Sequence, residues 1–126
     1  MDNTMLQPIE TVKLFKKQPE QSYLANQVIF EEGETGDVLY GILEGEIQLW
    51  VNGKAVETLT AGDVFGEGAL VQPDHTRAST AIAKTDCLLA TMDKSRFLFA
   101  VQQTPMFALE VLKSYSDRLR RLKHSI

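Results

Sequence analysis

The chain has 126 residues and a formal net charge of −4, with 44% hydrophobic and 24% charged residues. These values are ordinary for a soluble globular protein, and we expect residues 1–126 to form one domain around one core. No apolar run approaches the roughly 20 residues that cross a bilayer, no secretory leader is visible, and the negative charge argues against a general nucleic-acid binder.

The single cysteine gives a first indication of the compartment. Cys87 has no partner for an internal disulfide, so we expect the protein to be located in a reducing, cytoplasmic environment. Because Cys87 lies in an apolar run, we interpret its thiol as part of the core rather than as a nucleophile.

The N-terminal segment, residues 1–22, is predicted to be helical over residues 8–18. Its side chains follow an amphipathic pattern, and Pro8 suits the first turn of a helix because that position needs no N–H donor. The sequence therefore predicts one short helix before the main body of the domain.

Residues 23–93 have the pattern of β-structure. Short apolar or alternating runs are separated there by glycines and polar turns, and the apolar positions at 47, 49 and 51 are typical of a half-buried strand. The pair Asn52-Gly53 predicts a hairpin with a type I′ turn. Many short strands with glycine turns predict a sandwich or a barrel. The predicted strands span residues 27–31, 38–44, 45–51, 54–59, 79–83 and 87–93.

Residues 94–123 are predicted to form two helices. The first begins at Lys94, and Thr104-Pro105 ends it because proline favours the start of a new helix. The second carries an apolar stripe at steps of three or four residues, which lies on the β-structure or pairs with a second copy of the chain. We favour a homodimer that uses part of this stripe. Its residues are Ala108, Val111, Leu112, Tyr115, Leu119 and Leu122.

The end of the chain is basic. Residues 113–126 contain five lysines and arginines against Asp117 alone, a net charge of +4. Cations near the C-terminus of a helix complement its dipole, and this is the interpretation we favour. The alternatives are a docking surface for an acidic partner, for nucleic acid or for a membrane surface.

One glycine-rich stretch has the composition of an anion site. Phe65-Gly66-Glu67-Gly68-Ala69-Leu70 places a tight turn before a short helix, and Arg77-Ala78-Ser79 follows ten residues after Glu67. Backbone N–H groups at a helix start face an anion, and glycine lets a ligand approach the main chain. A guanidinium pairs with two phosphate oxygens, while a carboxylate accepts hydrogen bonds from a sugar hydroxyl. This combination fits a cyclic phosphodiester joined to a ribose.

This stretch resembles the phosphate-binding cassette of the cyclic nucleotide-binding domain family, which includes catabolite activators and the regulatory subunits of protein kinase A. The upstream pattern Phe30-x-x-Gly33-x-x-Gly36-Asp37-x-x-Tyr40 is similar too, and the likeness extends from about residue 14 to residue 122. It implies a mainly β fold, a jelly-roll-like β-roll with a short N-terminal helix and two C-terminal helices. Two positions depart from the family: Gly68 replaces a bulky apolar residue and Ser79 replaces alanine.

The resemblance also implies a set of ligand-binding residues and a ligand. Arg77 would bind the phosphate, Glu67 the ribose 2′-hydroxyl, and adenine contacts would come from Leu122 and Lys123. Because Ala78 stands where a hydroxyl residue helps to select cGMP, cAMP is favoured and cGMP is the alternative. No further cofactor or metal is expected. The implied site residues are Phe65, Gly66, Glu67, Gly68, Ala69, Arg77, Ala78 and Ser79.

The resemblance implies a sensor in which ligand capture moves the C-terminal helices about Thr104-Pro105 and signals to an unidentified downstream protein. Transcription factors of this family carry a helix-turn-helix domain after the second helix, but only residues 124–126 follow here. As a full protein this sequence is expected not to bind DNA directly and to be a stand-alone sensor; the alternative is a part of a larger regulator. The runner-up is a ligand-free dimerising scaffold whose pocket is spoiled at Gly68.

An enzyme is not expected. Metal-dependent β-roll enzymes need two or three histidines with a carboxylate around the metal, whereas this chain has only His75 and His124. Counting residues does not exclude a Ser-His-Asp arrangement, but no Gly-x-Ser-x-Gly elbow is present.

Overall fold

The structure is a computed structural model that describes residues 7–15 and 18–124. The described residues form eight strands and four helices. In chain order these are α1 Pro8–Phe15, β1 Gln21–Tyr23, β2 Val28–Phe30, β3 Val38–Glu44, β4 Ile47–Val51, β5 Lys54–Leu59, β6 Val64–Phe65, α2 Gly68–Val71, β7 Thr80–Ala83, β8 Cys87–Asp93, α3 Lys94–Gln103 and α4 Met106–His124.

The strands form two four-stranded antiparallel sheets. One sheet has the order β1-β8-β3-β6 and the other β2-β7-β4-β5, so neighbours in each sheet come from distant parts of the chain. Apolar side chains from the two sheets meet in one core that includes Phe30, Ile42, Ile47, Leu59 and Leu89. This arrangement confirms the predicted mainly β fold, a jelly-roll-like β-roll with one helix before it and two after it.

Strand predictions were most accurate where the hydrophobic pattern was longest. β3, β5 and β8 have the predicted bounds, while β2, β4 and β7 begin or end one or two residues inside theirs. The hairpin between β4 and β5 turns at Asn52 and Gly53, whose φ angles are 51° and 76°, as a type I′ turn requires. β1 and β6, with three and two residues, were missed because such short strands have no measurable period.

Helix α1 ends at Phe15, and the predicted extension to residue 18 is wrong at Gln18, which lies in a bend. Pro19 explains this because a proline disfavours helical backbone in the residue before it. Residues 16 and 17, also predicted to be helical, lie outside the described residues. α1 buries Ile9 and Val12 in a second core, which it shares with α3 and α4.

The C-terminal helices meet at the predicted break. Asp93 caps α3 by accepting a hydrogen bond from the backbone N–H of Arg96 at 2.8 Å, and α4 begins directly after Thr104-Pro105. No helix of the described part of the chain is both long and apolar enough to cross a membrane.

The apolar stripe predicted on α4 divides between two faces of the helix. Val111 and Tyr115 turn towards the protein, whereas Leu112 and Leu119 are 63% and 54% exposed. The buried residues of α4 are Phe107, Glu110 and Arg118. The stripe was therefore predicted too simply, because the inner face includes two charged residues that pattern analysis assigns to solvent.

Candidate functional site

The segment 65–79 leaves one sheet and returns to the other. It begins at the last residue of β6, turns at Gly66 with a φ of +82°, and makes the single turn of α2. The side chain of Asp74 then accepts hydrogen bonds from the backbone N–H and the hydroxyl of Thr76, at 3.1 and 2.9 Å. This local bonding fixes the loop that delivers Arg77 to the edge of β7.

Arg77 points inward, with only 5% of its surface exposed. Its Nη1 donates a hydrogen bond to the carbonyl oxygen of Gly66 at 2.8 Å. The guanidinium carbon lies 4.2 Å from the ring centre of Phe30 and 5.6 Å from that of Tyr40, an arrangement that favours a cation. The Nε atom is buried and has no hydrogen-bond partner among the described residues.

Burial shifts the pKa values of Arg77 and Tyr40 in opposite directions, because it disfavours the charged form of each side chain. It lowers the pKa of Arg77, although neighbouring groups such as Tyr40 and Asp37 oppose the change, and an arginine stays charged at neutral pH. Burial raises the pKa of Tyr40 to about 12, so this phenol is neutral. The site therefore contains one desolvated positive charge with an unsatisfied donor.

Two glycines make the space that the guanidinium occupies. A Cβ atom at Gly36 would overlap the Arg77 guanidinium, and one at Gly66 would lie 2.7 Å from Nη1. At Gly66 the positive φ also requires glycine. Gly36 and Gly66 are thus tied to the placement of Arg77, and only Gly66 is also needed for the turn itself.

Arg77 faces a cavity of about 220 Å³ between the β-roll, the segment 65–79 and α4. Its wall combines the apolar side chains of β4 and β5 with polar groups from the turn and the helix. The residues that line it are Phe30, Leu49, Val51, Val56, Glu57, Gly66, Glu67, Gly68, Arg77, Ala78, Ser79, Tyr115 and Arg118.

Most of the predicted site residues surround this one cavity, namely Gly66, Glu67, Gly68, Arg77, Ala78 and Ser79. Phe65 does not line it. That ring is fully buried in the core and stacks on Tyr40 with the ring centres 5.2 Å apart. Ala69 lies in the wall of a second, open cavity of about 500 Å³, together with Thr35, Asp37 and His75. Phe65 and Ala69 therefore lie outside the cavity that the other six predicted site residues line.

Steric crowding favours glycine at position 68. A Cβ atom there would lie 3.1 Å from the backbone carbonyl oxygen of Thr76, closer than side chains usually come to main chain. The residue is buried and lines the cavity. A bulky side chain at this position would require the segment around Thr76 to move.

Two cavity residues on α4, Tyr115 and Arg118, were missed. The sequence had suggested contacts from Leu122 and Lys123, neither of which lines the cavity. The α4 residues that line the cavity lie about one to two turns of helix before these two positions. A signal was present, since positions 111, 115, 118 and 122 share one face of a helix, but Arg118 was grouped with the exposed basic tail.

The hydroxyl of Tyr115 is buried and has no hydrogen-bond partner of normal geometry within residues 7–15 and 18–124. Burial raises the pKa of Tyr115, and the nearby charge of Glu67 acts in the same direction, so the phenol keeps its proton. Glu67 itself makes no side-chain cap on α2. The neutral hydroxyl of Tyr115 and the carboxyl group of Glu67 thus both line the cavity and lie near each other.

Comparison with known proteins identifies relatives of this chain. A family model described as "Cyclic nucleotide-binding domain" matches residues 20–104. A cAMP-dependent protein kinase regulatory subunit of Schizosaccharomyces pombe is 43% identical over 76 residues, which are 60% of this chain and 18% of that protein. The protein of the same name from Candida albicans is 32% identical over 111 residues, 80% of this chain and 24% of that one.

The fold likewise has a solved counterpart. The crystal structure of the Thermus thermophilus catabolite activator protein superimposes with a TM-score of 0.76 at 21% identity, over 98% of this chain and 59% of that one. The chain spans less than a quarter of the length of the two yeast relatives, so their likeness concerns one part of them. Since the matched residues 20–104 contain both the β-roll and the buried arginine turn, the chain belongs to the cyclic nucleotide-binding domain family.

Proposed function

We propose that this chain is a regulatory module that binds a cyclic nucleotide, cAMP in the first place, in the cavity beside Arg77. The observation that carries the proposal is the buried guanidinium of Arg77, whose Nε lacks a partner among the described residues and which faces a cavity shared with Glu67. A desolvated cation of this kind favours an anionic ligand.

The two ends of the cavity suit the two ends of such a ligand. Arg77 and the turn at Gly66 would hold the cyclic phosphate, and Glu67 would accept a hydrogen bond from the ribose 2′-hydroxyl. Leu49, Val51 and Val56 form an apolar wall that suits a base. Ala78 and the names of the yeast relatives support cAMP, and cGMP is the alternative.

The same cavity supports coupling to the C-terminal helices. Because α4 contributes Tyr115 and Arg118 to the wall, a bound nucleotide would contact the helix directly and shift its position about Thr104-Pro105. A ligand shifts such an equilibrium only by its different affinities for the two states, on the order of 1–3 kcal/mol in typical coupling. A downstream protein would then recognise the new position of α4.

The experiment that tests the proposal is a calorimetric titration of the protein with cAMP and with cGMP. We expect binding by the wild type and a loss of about 2–5 kcal/mol in binding free energy for Arg77→Ala, since the buried phosphate would lose its charged partner. Arg120→Ala, at an exposed position of α4, is the matched control. Equal affinities of the Arg77→Ala variant and the wild type would contradict the proposal.

A second candidate is a ligand-free scaffold of the same fold. The cavity volume of about 220 Å³ is below the ~300 Å³ from which ligand pockets usually begin, and this favours the alternative. The two functions differ in a thermal melt with millimolar cAMP or cGMP, because a bound ligand raises the melting temperature. No shift with either nucleotide would favour the scaffold.

A further inference from the structure

A buried ion pair joins α4 to the β-roll at the cavity. Arg118 Nε donates a hydrogen bond to Glu57 Oε1 at 2.7 Å, and Nη2 donates to Oε2 at 3.2 Å. Its Nη1 donates to the carbonyl oxygen of Val64 at 2.7 Å, and the guanidinium lies 4.4 Å from the ring centre of Tyr115. The two charged side chains are only 7% and 10% exposed. One arginine thus binds β5 and the strand before the cassette at once.

This pair is the buried polar attachment of the outer half of α4, residues 111–124. Within residues 111–124 Arg118 is the most deeply buried residue, while Leu112 and Leu119 are more than half exposed. The inner half of α4, residues 106–110, is attached by the fully buried ring of Phe107 and by the hydrogen bond that Thr11 donates to Glu110 at 3.1 Å. The outer half is therefore docked by this ion pair together with Val111 and Tyr115, which are partly buried against the second core.

We propose that Glu57 and Arg118 form a latch that keeps the outer half of α4 over the cavity before any nucleotide is bound. This regulatory role rests on the proposed function, because the cavity under the latch is the proposed nucleotide site.

The latch determines whether the side chains of α4 form part of the cavity wall. Tyr115 precedes Arg118 by one turn of helix and its ring lies against the guanidinium, so the ion pair also holds the Tyr115 hydroxyl near Glu67. A ligand that uses the complete wall binds only the docked form, and its apparent affinity falls with the fraction of molecules that are docked. The Glu57–Arg118 pair would therefore set both the resting position of α4 and the affinity for the nucleotide.

Hydrogen exchange of the ligand-free protein tests the latch without any nucleotide. Glu57→Gln keeps the shape of the side chain but removes its charge, and Arg118→Lys keeps the charge but removes the two-pronged contact. We expect amide exchange in residues 112–124 to rise about tenfold in both variants, with unchanged exchange in β3 and β8. The matched control is Asp117→Asn, which breaks the exposed pair of Lys113 and Asp117 on the same helix and should leave exchange unchanged. Equal exchange in the wild type and in both latch variants would overturn the proposal.

A titration with cAMP and cGMP adds the second readout. We expect the two latch variants to bind about three- to tenfold more weakly than the wild type, and the bound nucleotide to restore part of the protection of α4. Tighter binding by the variants would overturn the proposal, because the pair would then obstruct the ligand. If the wild type binds neither nucleotide, the proposed function fails, while the exchange measurement still decides whether the latch exists. A variant that does not fold is replaced by the other one.

Discussion

At the scale of single residues, the candidate site depends on how one cation is accommodated. Arg77 is buried against Phe30 and Tyr40 and bonded to the backbone of Gly66. Burying a charge without a full set of partners costs free energy. The aromatic faces and one carbonyl oxygen offset part of that cost, and an anionic ligand would offset more.

Gly36→Ala tests this accommodation from outside the cassette. The added methyl group overlaps the Arg77 guanidinium, so we expect Arg77 to be displaced and the nucleotide affinity to fall at least about tenfold, or about 1.4 kcal/mol. Thr35→Ala, at the preceding exposed residue, is the control, and calorimetry provides the measurement. A folded Gly36→Ala variant with wild-type affinity would show that the guanidinium is not needed at this position.

At the scale of secondary-structure elements, α4 is attached through two charged side chains on its inner face. Glu110 is 4% exposed and accepts a hydrogen bond from Thr11 of α1, and Arg118 pairs with Glu57 of β5. Burying a charged group costs desolvation free energy. We therefore expect a change in charge at either contact to weaken the attachment of the helix.

The Glu110 contact predicts a dependence of stability on pH. Burial raises the pKa of Glu110, and the Thr11 hydrogen bond only partly opposes this. The folded state therefore binds its proton more tightly than the unfolded state, so the stabilisation is complete at acidic pH and is lost as pH rises through the folded pKa.

Glu110→Gln removes the ionisable carboxyl group, so the variant does not lose this stability as pH rises. We expect the variant to exceed the wild type at pH 7 by on the order of 1 kcal/mol in unfolding free energy, with the gap closing near about pH 4. Urea unfolding at both pH values measures it, and the exposed Glu10→Gln of α1 serves as control. A wild type that gains stability relative to Glu110→Gln between pH 4 and pH 7 would refute the assignment.

At the scale of the whole molecule, the outer face of α4 is apolar and uncovered. Leu109, Leu112 and Leu119 are 52%, 63% and 54% exposed, and their spacing of three and seven residues suits pairing of two helices. We propose a homodimer through this face, which would place the two latches on either side of the helix pair.

Leu112→Glu and Leu119→Glu test the dimer. A charge on each copy in the middle of a helix pair is strongly unfavourable, so we expect the variants to sediment as monomers at concentrations where the wild type is dimeric. Leu24→Glu changes a leucine that is 71% exposed on the β-roll and should leave the wild-type mass unchanged. A monomeric wild type, or dimeric α4 variants, would count against the interface.

The sequence predicted the fold well because its strongest signals are local. Period-two strands, the Asn52-Gly53 turn and the break at Thr104-Pro105 are all encoded within a few residues, and all three are present. The cassette pattern also led to six of the thirteen residues that line the cavity. The ion pair of Glu57 and Arg118 was not predictable, because it joins residues 61 positions apart and its burial depends on the angle at which α4 crosses the β-roll.

The shared space around Arg77 constrains how this domain can change over time. A chain that replaced Arg77 by a small residue would leave room at Gly36, which could then acquire a side chain, whereas Gly66 would remain glycine because of its positive φ. Loss of the guanidinium would thus become harder to reverse once position 36 had filled the gap. A related domain with a side chain at position 36 is expected to have lost its anion site as well.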